Sequence, residues 1–379
     1  MKKISSPIPI LEFGSTYIRL AVYEKNILNQ NLYYEKKTDF TRGNHIDEES
    51  ISELIVKAEK DIDQHLNEIQ LILDSPNIHT LDLSIKKNFE NKTVTKNDIN
   101  HLISECEQIV KTFNKQKDIL HVLTSNIIFD NKIVNSFEDI SKKAQDVILQ
   151  LKFIMINKID INHIKNLLLK KHISLKNIFC SSYIKSFGLI NKLEIYNYIS
   201  FIDIGFKKSS LSIFKDTKLL YLNYINIGGD SITKDISKIL NFNYRTAEAK
   251  KLKFSKINKS ENHIEEQNLL KKIINARLEE IVELLFINCP LLKNNTFDSN
   301  LKLYFIGSGS KVLNENLLSF GSEFSFINEM SIIDEDPKDC FQSALKFLNK
   351  NEKMQPHNDK INFENPGFFE KFFEYFSSK

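Results

Sequence analysis

The chain has 379 residues, 52 Lys+Arg against 49 Asp+Glu, 41% hydrophobic and 27% charged residues, so two or three globular units are expected and general disorder is excluded. A net charge of +3 excludes nucleic acid as the main partner, and only Arg19, Arg42, Arg245 and Arg277 carry guanidinium. No run approaches the ~18 apolar residues of a membrane span, the start to Gly14 is broken by Glu12 and does not read as a secretory signal, and the scattered Cys106, Cys180, Cys289 and Cys340 predict neither disulfides nor zinc. These features predict a cytosolic chain.

Glycine is scarce, ten in all, and its positions are informative. The first element in the chain is a strand ending Leu11-Glu12-Phe13-Gly14, followed by the alternating Ile18, Leu20, Val22 and Tyr23. Helical spacing of Ile51, Leu54, Ile55, Ala58, Ile62, Leu66 and Ile69 predicts one helix over residues 50–73. Thr95 is set to cap a second helix. The pattern to Ile156 then predicts helix, strand, helix, strand, with strands at Ile119–Val122 and Lys152–Ile156. Ile202-Asp203-Ile204-Gly205, followed by Ser209, Leu211, Ile213 and Phe214, repeats the first motif 191 positions later. Each copy predicts strand, tight turn and strand, with an acid just before the turn. Such a repeat implies two homologous domains. Turns facing one cleft would offer backbone N–H groups to a phosphate chain from both sides, with Asp203 placed to hold Mg²⁺ through water.

A helix is expected from Gly228-Gly229, then a solvated loop over Ser255–Gln267. A long helix over Leu269–Leu285 follows, with Ile273, Ile274, Leu278, Ile281, Leu284 and Leu285 as its apolar stripe. Arg277 lies off that stripe beside Glu279, Glu280 and Glu283, a setting for charge pairs on a solvated face. A further strand ends in Gly307-Ser308-Gly309, while Gly43, Gly188, Gly321 and Gly367 sit in ordinary turn or helix-end contexts. Residues 349–366 predict a polar linker. Beyond it Phe368, Phe369, Phe372, Phe373 and Phe376 line one face of a short helix, with Glu370, Lys371 and Glu374 opposite. A tethered helix with no core to enter needs a membrane interface or a partner groove.

Together these motifs resemble the actin-like ATPases, and among them the FtsA family of bacterial cell division. The likeness rests on the two hairpins, Phe305–Ser310, Ile227–Ile236, Thr246–Lys251, His121–Leu123 with Asn126–Asp130, and Phe179–Leu189. It implies an α/β actin-like (ribonuclease H-like, duplicated) fold of two domains around a nucleotide cleft. The implied parts are subdomain 1A at 7–87, completed by 338–348, and an inserted subdomain 1C at 88–157. Subdomain 2A follows at 158–227, completed by 301–337, with 2B at 228–300, the linker at 349–366 and a membrane-targeting helix at 367–379. ATP and Mg²⁺ are the implied cofactors. The resemblance assigns nucleotide contacts to Gly14, Ser15, Thr16, Asp203, Gly205, Gly228, Gly229, Gly307, Ser308 and Gly309, with Glu248 and Lys251 on the ribose. The implied partners are the FtsZ C-terminal peptide through subdomain 2B and Arg277, further copies in a protofilament, later division proteins through 1C, and lipid through the tail. The implied place is the cytoplasmic face of the inner membrane at the division site.

Departures from the family pattern matter too. The second phosphate loop, Asp203-Ile204-Gly205-Phe206-Lys207-Lys208-Ser209, has an aromatic and two lysines where the family has two glycines and a threonine. No residue stands out to activate water, so a scaffold with slow ATP hydrolysis at most is expected. The alternatives are an FtsA-like adaptor of type IV pilus assembly, and a sugar or acetate kinase of the same superfamily.

Overall fold

The computed structural model describes residues 7–24, 30–38, 48–134, 141–193, 198–254, 264–293, 301–313 and 324–354. Strand β1 (Pro7–Phe13) turns at Gly14 into β2 (Tyr17–Glu24), which pairs with β3 (Gln30–Lys37), all antiparallel. Helix α1 (Glu48–Ile62) buries Ile51, Leu54, Ile55, Ala58 and Ile62 on this sheet, and β4 (Glu68–Leu73) joins β1 in parallel. The single helix expected over 50–73 is thus a helix and a strand. Asp63 takes a left-handed conformation (φ 56°) and ends the helix. Ile69 begins a run to Leu73 that is buried throughout and apolar except for Gln70, as a central parallel strand requires.

Next comes a separate sheet. Strand β5 (His79–Asn88) leads to β6 (Thr93–Thr95) and α2 (Lys96–Phe113), where Thr95 and Asp98 form a reciprocal capping box. Strands β7 (Lys117–Phe129), β8 (Lys132–Val134), β9 (Ser141–Lys143) and β10 (Asp146–Asn157) follow. The order is β5-β10-β7-β8, with β6 and β9 paired apart. The second helix expected here is replaced by a hairpin. Asp130 and Asn131 both adopt positive φ (45° and 68°), the two-residue turn that joins twisted strands. The sheet takes in β5, so it starts at His79, ahead of the boundary at 88.

Helix α3 (Lys158–Lys170) leads to β11 (Ser174–Cys180), which pairs in parallel with β4. The division that grouped 158–227 is corrected accordingly: β11 is the edge of the first sheet. Helix α4 (Ser181–Ile190) then crosses to the second sheet, built of β12 (Tyr198–Ile204), β13 (Ser209–Lys215) and β14 (Lys218–Ile225). Helices α5 (Gly229–Ile239), α6 (Tyr244–Phe254), α7 (Ile264–Phe286) and α8 (Pro290–Lys293) precede β15 (Leu301–Ile306), a 3-10 turn (Ser308–Val312), β16 (Ile327–Ile332) and α9 (Pro337–Met354). On α7 the stripe is buried at Ile273, Ile274, Leu278, Ile281 and Leu285, with Val282 buried and Leu284 only half-buried. Helix α7 starts inside the stretch read as loop, and α9 runs past Leu348 into the stretch read as linker. The five-Phe segment lies outside the described residues.

The two large sheets share one topology, β11-β4-β1-β2-β3 and, reversed, β14-β13-β12-β15-β16. In each, an antiparallel trio carries two parallel strands on its first member. The duplication read from the two motifs is therefore a duplication of whole sheets.

Helices α4 and α9 meet at Gly188, which is not the ordinary helix-end glycine of the sequence reading. A Cβ there would lie 1.9 Å from Ser343 Oγ and 2.8 Å from Ser343 Cβ. Gly188→Ala should therefore cost roughly 1–3 kcal/mol despite alanine's better helix propensity. Adding Ser343→Gly should restore much of the loss in urea denaturation, since the obstacle is that one side chain.

Candidate functional site

Both motif turns are built alike. The Gly14 N–H donates to the Tyr17 carbonyl at 3.0 Å, and the Gly205 N–H to the Lys208 carbonyl at 2.9 Å. A Cβ on either glycine would stand 2.9 Å from that same carbonyl oxygen, so both turns need glycine for close approach. The glycine amides are spent on the turns themselves, which leaves ligand contact to other groups of the loops. Each turn is pinned from behind: Thr38 donates its hydroxyl to the Ser15 carbonyl at 3.0 Å, and Ser209 donates to the Ile227 carbonyl at 2.7 Å.

The two turns face one cavity of about 350 Å³. Of the residues the sequence put forward, Gly14, Ser15, Thr16, Asp203, Gly205, Gly307 and Ser308 line it. Also on the wall are Glu12, Arg19, Asp74, Lys185, Phe206, Lys208, Tyr224, Lys311 and Glu335.

Glu12 and Asp203 occupy equivalent places, each two residues before its glycine and each buried. Burying a carboxylate without a partner is costly, and both have one. Arg19 Nη1 reaches Glu12 at 2.7 Å, and Lys185 Nζ reaches Asp203 at 2.8 Å. Burial opposes the charge of Lys185, but Asp203 and then Glu335 outweigh it and hold the ammonium well above the ordinary lysine range. Gly307 lies between the two acids. Its N–H donates to Glu335 at 3.1 Å, its φ is +86°, and a Cβ there would be 2.0 Å from Asp203 Oδ1. Burial, only partly countered by Lys185, pushes Glu335 up to about 7. Lys208 donates to the Asp74 carbonyl, and burial lowers its pKa. The Asp74 carboxylate accepts from Ser182 Oγ at 3.0 Å and Tyr224 OH at 3.1 Å, joining the two bodies at the floor.

The remaining expected contacts pack on one another and are not on the cavity wall. Lys251 is buried and donates to the Gly229 carbonyl at 2.9 Å and Thr233 Oγ1 at 2.7 Å, with Glu248 at 2.8 Å. The Gly228 N-cap sits against the second turn, with the Gly229 N–H on the Gly205 carbonyl at 2.9 Å and the Asp230 N–H on the Phe206 carbonyl at 2.7 Å. A Cβ on Gly309 would be 2.6 Å from Ile204 Cγ2. The cavity between the two turns is therefore open, while Glu248 and Lys251 are engaged within the protein. Arg277 is engaged too, through Asp235 on α5 at 2.6 and 2.9 Å and through Glu280 on its own helix.

Sequence reading missed Lys185, Glu335, Asp74 and Arg19 as cleft residues. Arg19 alone left a signal, since it follows the first turn on an alternating strand and faces Glu12 across the hairpin register.

Residues 200–314, which carry the second turn, α5 to α7 and the Gly307 turn, match the family model described as cell division protein FtsA. Two curated cell division proteins FtsA from Helicobacter pylori strains are 25% and 24% identical over 166 residues. The chain is similar to FtsA over this part of its length. That match covers 44% of this chain and 33% of each relative, so it spans a third of their length. Among solved structures, a chain of the PilM–PilN type IV pilus biogenesis complex aligns over 94% of this chain and 100% of its own, at TM-score 0.60 and 13% identity. MreB5 of Spiroplasma citri bound to ADP aligns over 92% and 98%, at TM-score 0.52 and 12% identity. At these identities the likeness is one of fold, and the fold of this FtsA-like chain is actin-like.

Glu335 supplies a pH test. Its folded-state pKa of about 7 lies above the ordinary carboxylate value of 4.5, so its protonated form favours the folded state. That contribution is complete below pH 4.5 and is lost as pH rises through about 7. Glu335→Gln should flatten this part of the stability-versus-pH curve, measured by thermal unfolding from pH 5 to pH 8. An unchanged slope would contradict the assignment.

Proposed function

We propose that the chain is an FtsA-type scaffold of cell division that holds a nucleotide by its phosphates between the two hairpin turns and tethers FtsZ filaments to the membrane. The observation that carries this reading is the pair of equivalent glycine turns facing one cavity in an FtsA-like, actin-fold chain. Turn backbones and nearby ammonium groups suit phosphate oxygens. The loops at Gly14–Thr16 and Gly205–Lys208 would hold the phosphate chain, with Lys185 and Lys208 as charges. ATP bound there supplies the phosphate anhydride, and the chain's own residues supply positioning. With the second loop altered at Phe206-Lys207-Lys208, phosphate release by purified protein should stay far below the ~1 s⁻¹ at the slow end for kinases. Steady release at or above that rate would favour the kinase alternative.

FtsZ binding is assigned to residues 228–300, the helical layer on the second sheet. Because Arg277 latches α7 to α5 through Asp235, Arg277→Ala acts on that layer's packing as well as on its charge. Fluorescence anisotropy with an FtsZ C-terminal peptide should show binding that Arg277→Ala weakens. Full binding by a chain lacking 228–300 would place the site elsewhere.

The tail supports the membrane part of the reading through its sequence. Five Phe on one face bring several kcal/mol of burial at about 25 cal/mol per Å². Ordering and loss of translational freedom offset much of this, so single tails should hold weakly and assembled ones firmly. In liposome co-sedimentation, truncation after Pro366, or Phe372→Glu with Phe373→Glu, should abolish binding. Raising salt should change it little, since the tail is nearly neutral. Retained binding after truncation would exclude the tail as anchor. A second reading, an adaptor of type IV pilus assembly, is favoured by the full-length alignment with the pilus complex chain. It assigns no role to the Phe face, and the same experiment separates the two.

A further inference from the structure

The acids of the cleft invite a divalent cation, and their donors do not fit one. Asp203, the acid expected to hold Mg²⁺ through water, already has Lys185 Nζ at 2.8 Å on Oδ2, with Gly307 against Oδ1. Its counterpart Glu12 has Arg19 at 2.7 Å. Glu335 receives the Gly307 N–H. Among the described residues no three His, Cys, Asp or Glu side chains converge as a metal-ligand set.

Lys185 is unlike an incidental surface partner. It comes from α4, the helix packed between β13 and α9, and reaches the acid near the end of β12. Its side chain is 18% exposed and lies on the cavity wall beside both turns. An ammonium carries three donors, and the bond to Asp203 uses one. A fixed cation between a carboxylate and a phosphate is also what a metal provides there.

We propose that Lys185 is the resident cation of this cleft, so that a phosphate-bearing ligand binds without a divalent metal. The phosphate half of the claim rests on the nucleotide reading above; the cation half does not. Removing the ammonium frees Asp203 beside Glu335, and this pair then recruits a divalent ion in its place.

The test has two arms on the full chain. In the first, Mn²⁺ alone is titrated and followed by electron paramagnetic resonance. Wild type and Lys185→Arg should leave Mn²⁺ free at millimolar concentration, and Lys185→Gln should bind it at least about tenfold more tightly. Equal binding by wild type and Lys185→Gln would overturn the cation assignment. In the second arm, ATP is titrated by calorimetry in EDTA and again in Mg²⁺. Wild type should bind equally within about twofold. Lys185→Gln should lose at least about tenfold in EDTA, the loss of one close charge partner, and regain it with Mg²⁺. Wild-type binding that requires Mg²⁺ would overturn the proposal. Absence of ATP binding by wild type in both buffers would overturn the nucleotide reading, with the Mn²⁺ arm still deciding the cation assignment by itself. Lys185→Arg keeps the charge, so its wild-type behaviour separates lost charge from a damaged fold.

Discussion

An acid buried in the wall of a cleft has to meet a positive charge, and the arrangement of this molecule follows from that constraint. Each hairpin ends its first strand in a carboxylate two residues before a glycine whose turn leaves no room for a Cβ without a shift of the facing carbonyl. Each of those carboxylates is buried, and each is matched by one fixed cation, Arg19 for Glu12 and Lys185 for Asp203. The matching differs between the copies. Arg19 comes from the neighbouring strand of its own hairpin, so that pair is local. Lys185 comes from helix α4, packed between β13 and α9, so that pair is non-local.

Helix α4 thus does more than connect. Ser182 and Ser186 meet Ser210 and Ser212 of β13 at 2.7 Å each, a seam of small hydroxyls that lets the helix lie close to the second sheet. On its other face Gly188 admits Ser343 of α9. Lys185 projects between these two contacts into the cavity. Its position is therefore set by packing on both sides, which gives its ammonium the fixed placement that a metal would otherwise have. The same packing ties the cleft to α9, the last described element before the sequence segment that carries the Phe face.

What could be read in the sequence was whatever is local and chemically narrow. Two glycines with an acid before each and alternating apolar residues after each announced two hairpins, and the structure extends this to two whole sheets of one topology. Thr95 announced its capping box in the same way. Non-local pairing left no such mark. Lys185 and Asp203 are 18 residues apart, one on a helix and the other on a strand, so nothing in the spacing singled out that lysine among the many here. Strand β11 looked like the start of the second body because chain order suggests it, whereas its hydrogen bonds go back to β4. The run through Ile69 kept helical spacing by coincidence, and only the left-handed Asp63 ends the helix before it. Glu248 and Lys251 were chosen through family resemblance, and the fold engages both with Thr233 and with each other rather than with the cavity. Arg277 was rightly seen as part of a charge cluster, but its stronger partner, Asp235, lies on another helix.

The central claim is that both hairpin turns act on one phosphate chain. Its most direct measurement is a titration of the isotope-labelled full chain with ATP in EDTA, following the backbone amide resonances of residues 14–17 and 205–208 by transverse-relaxation-optimised NMR. The account predicts that both sets move together, along one binding curve, while the Glu248 and Lys251 amides move little. Shifts confined to one turn, or shifts centred on Glu248 and Lys251 with both turns unmoved, would contradict it.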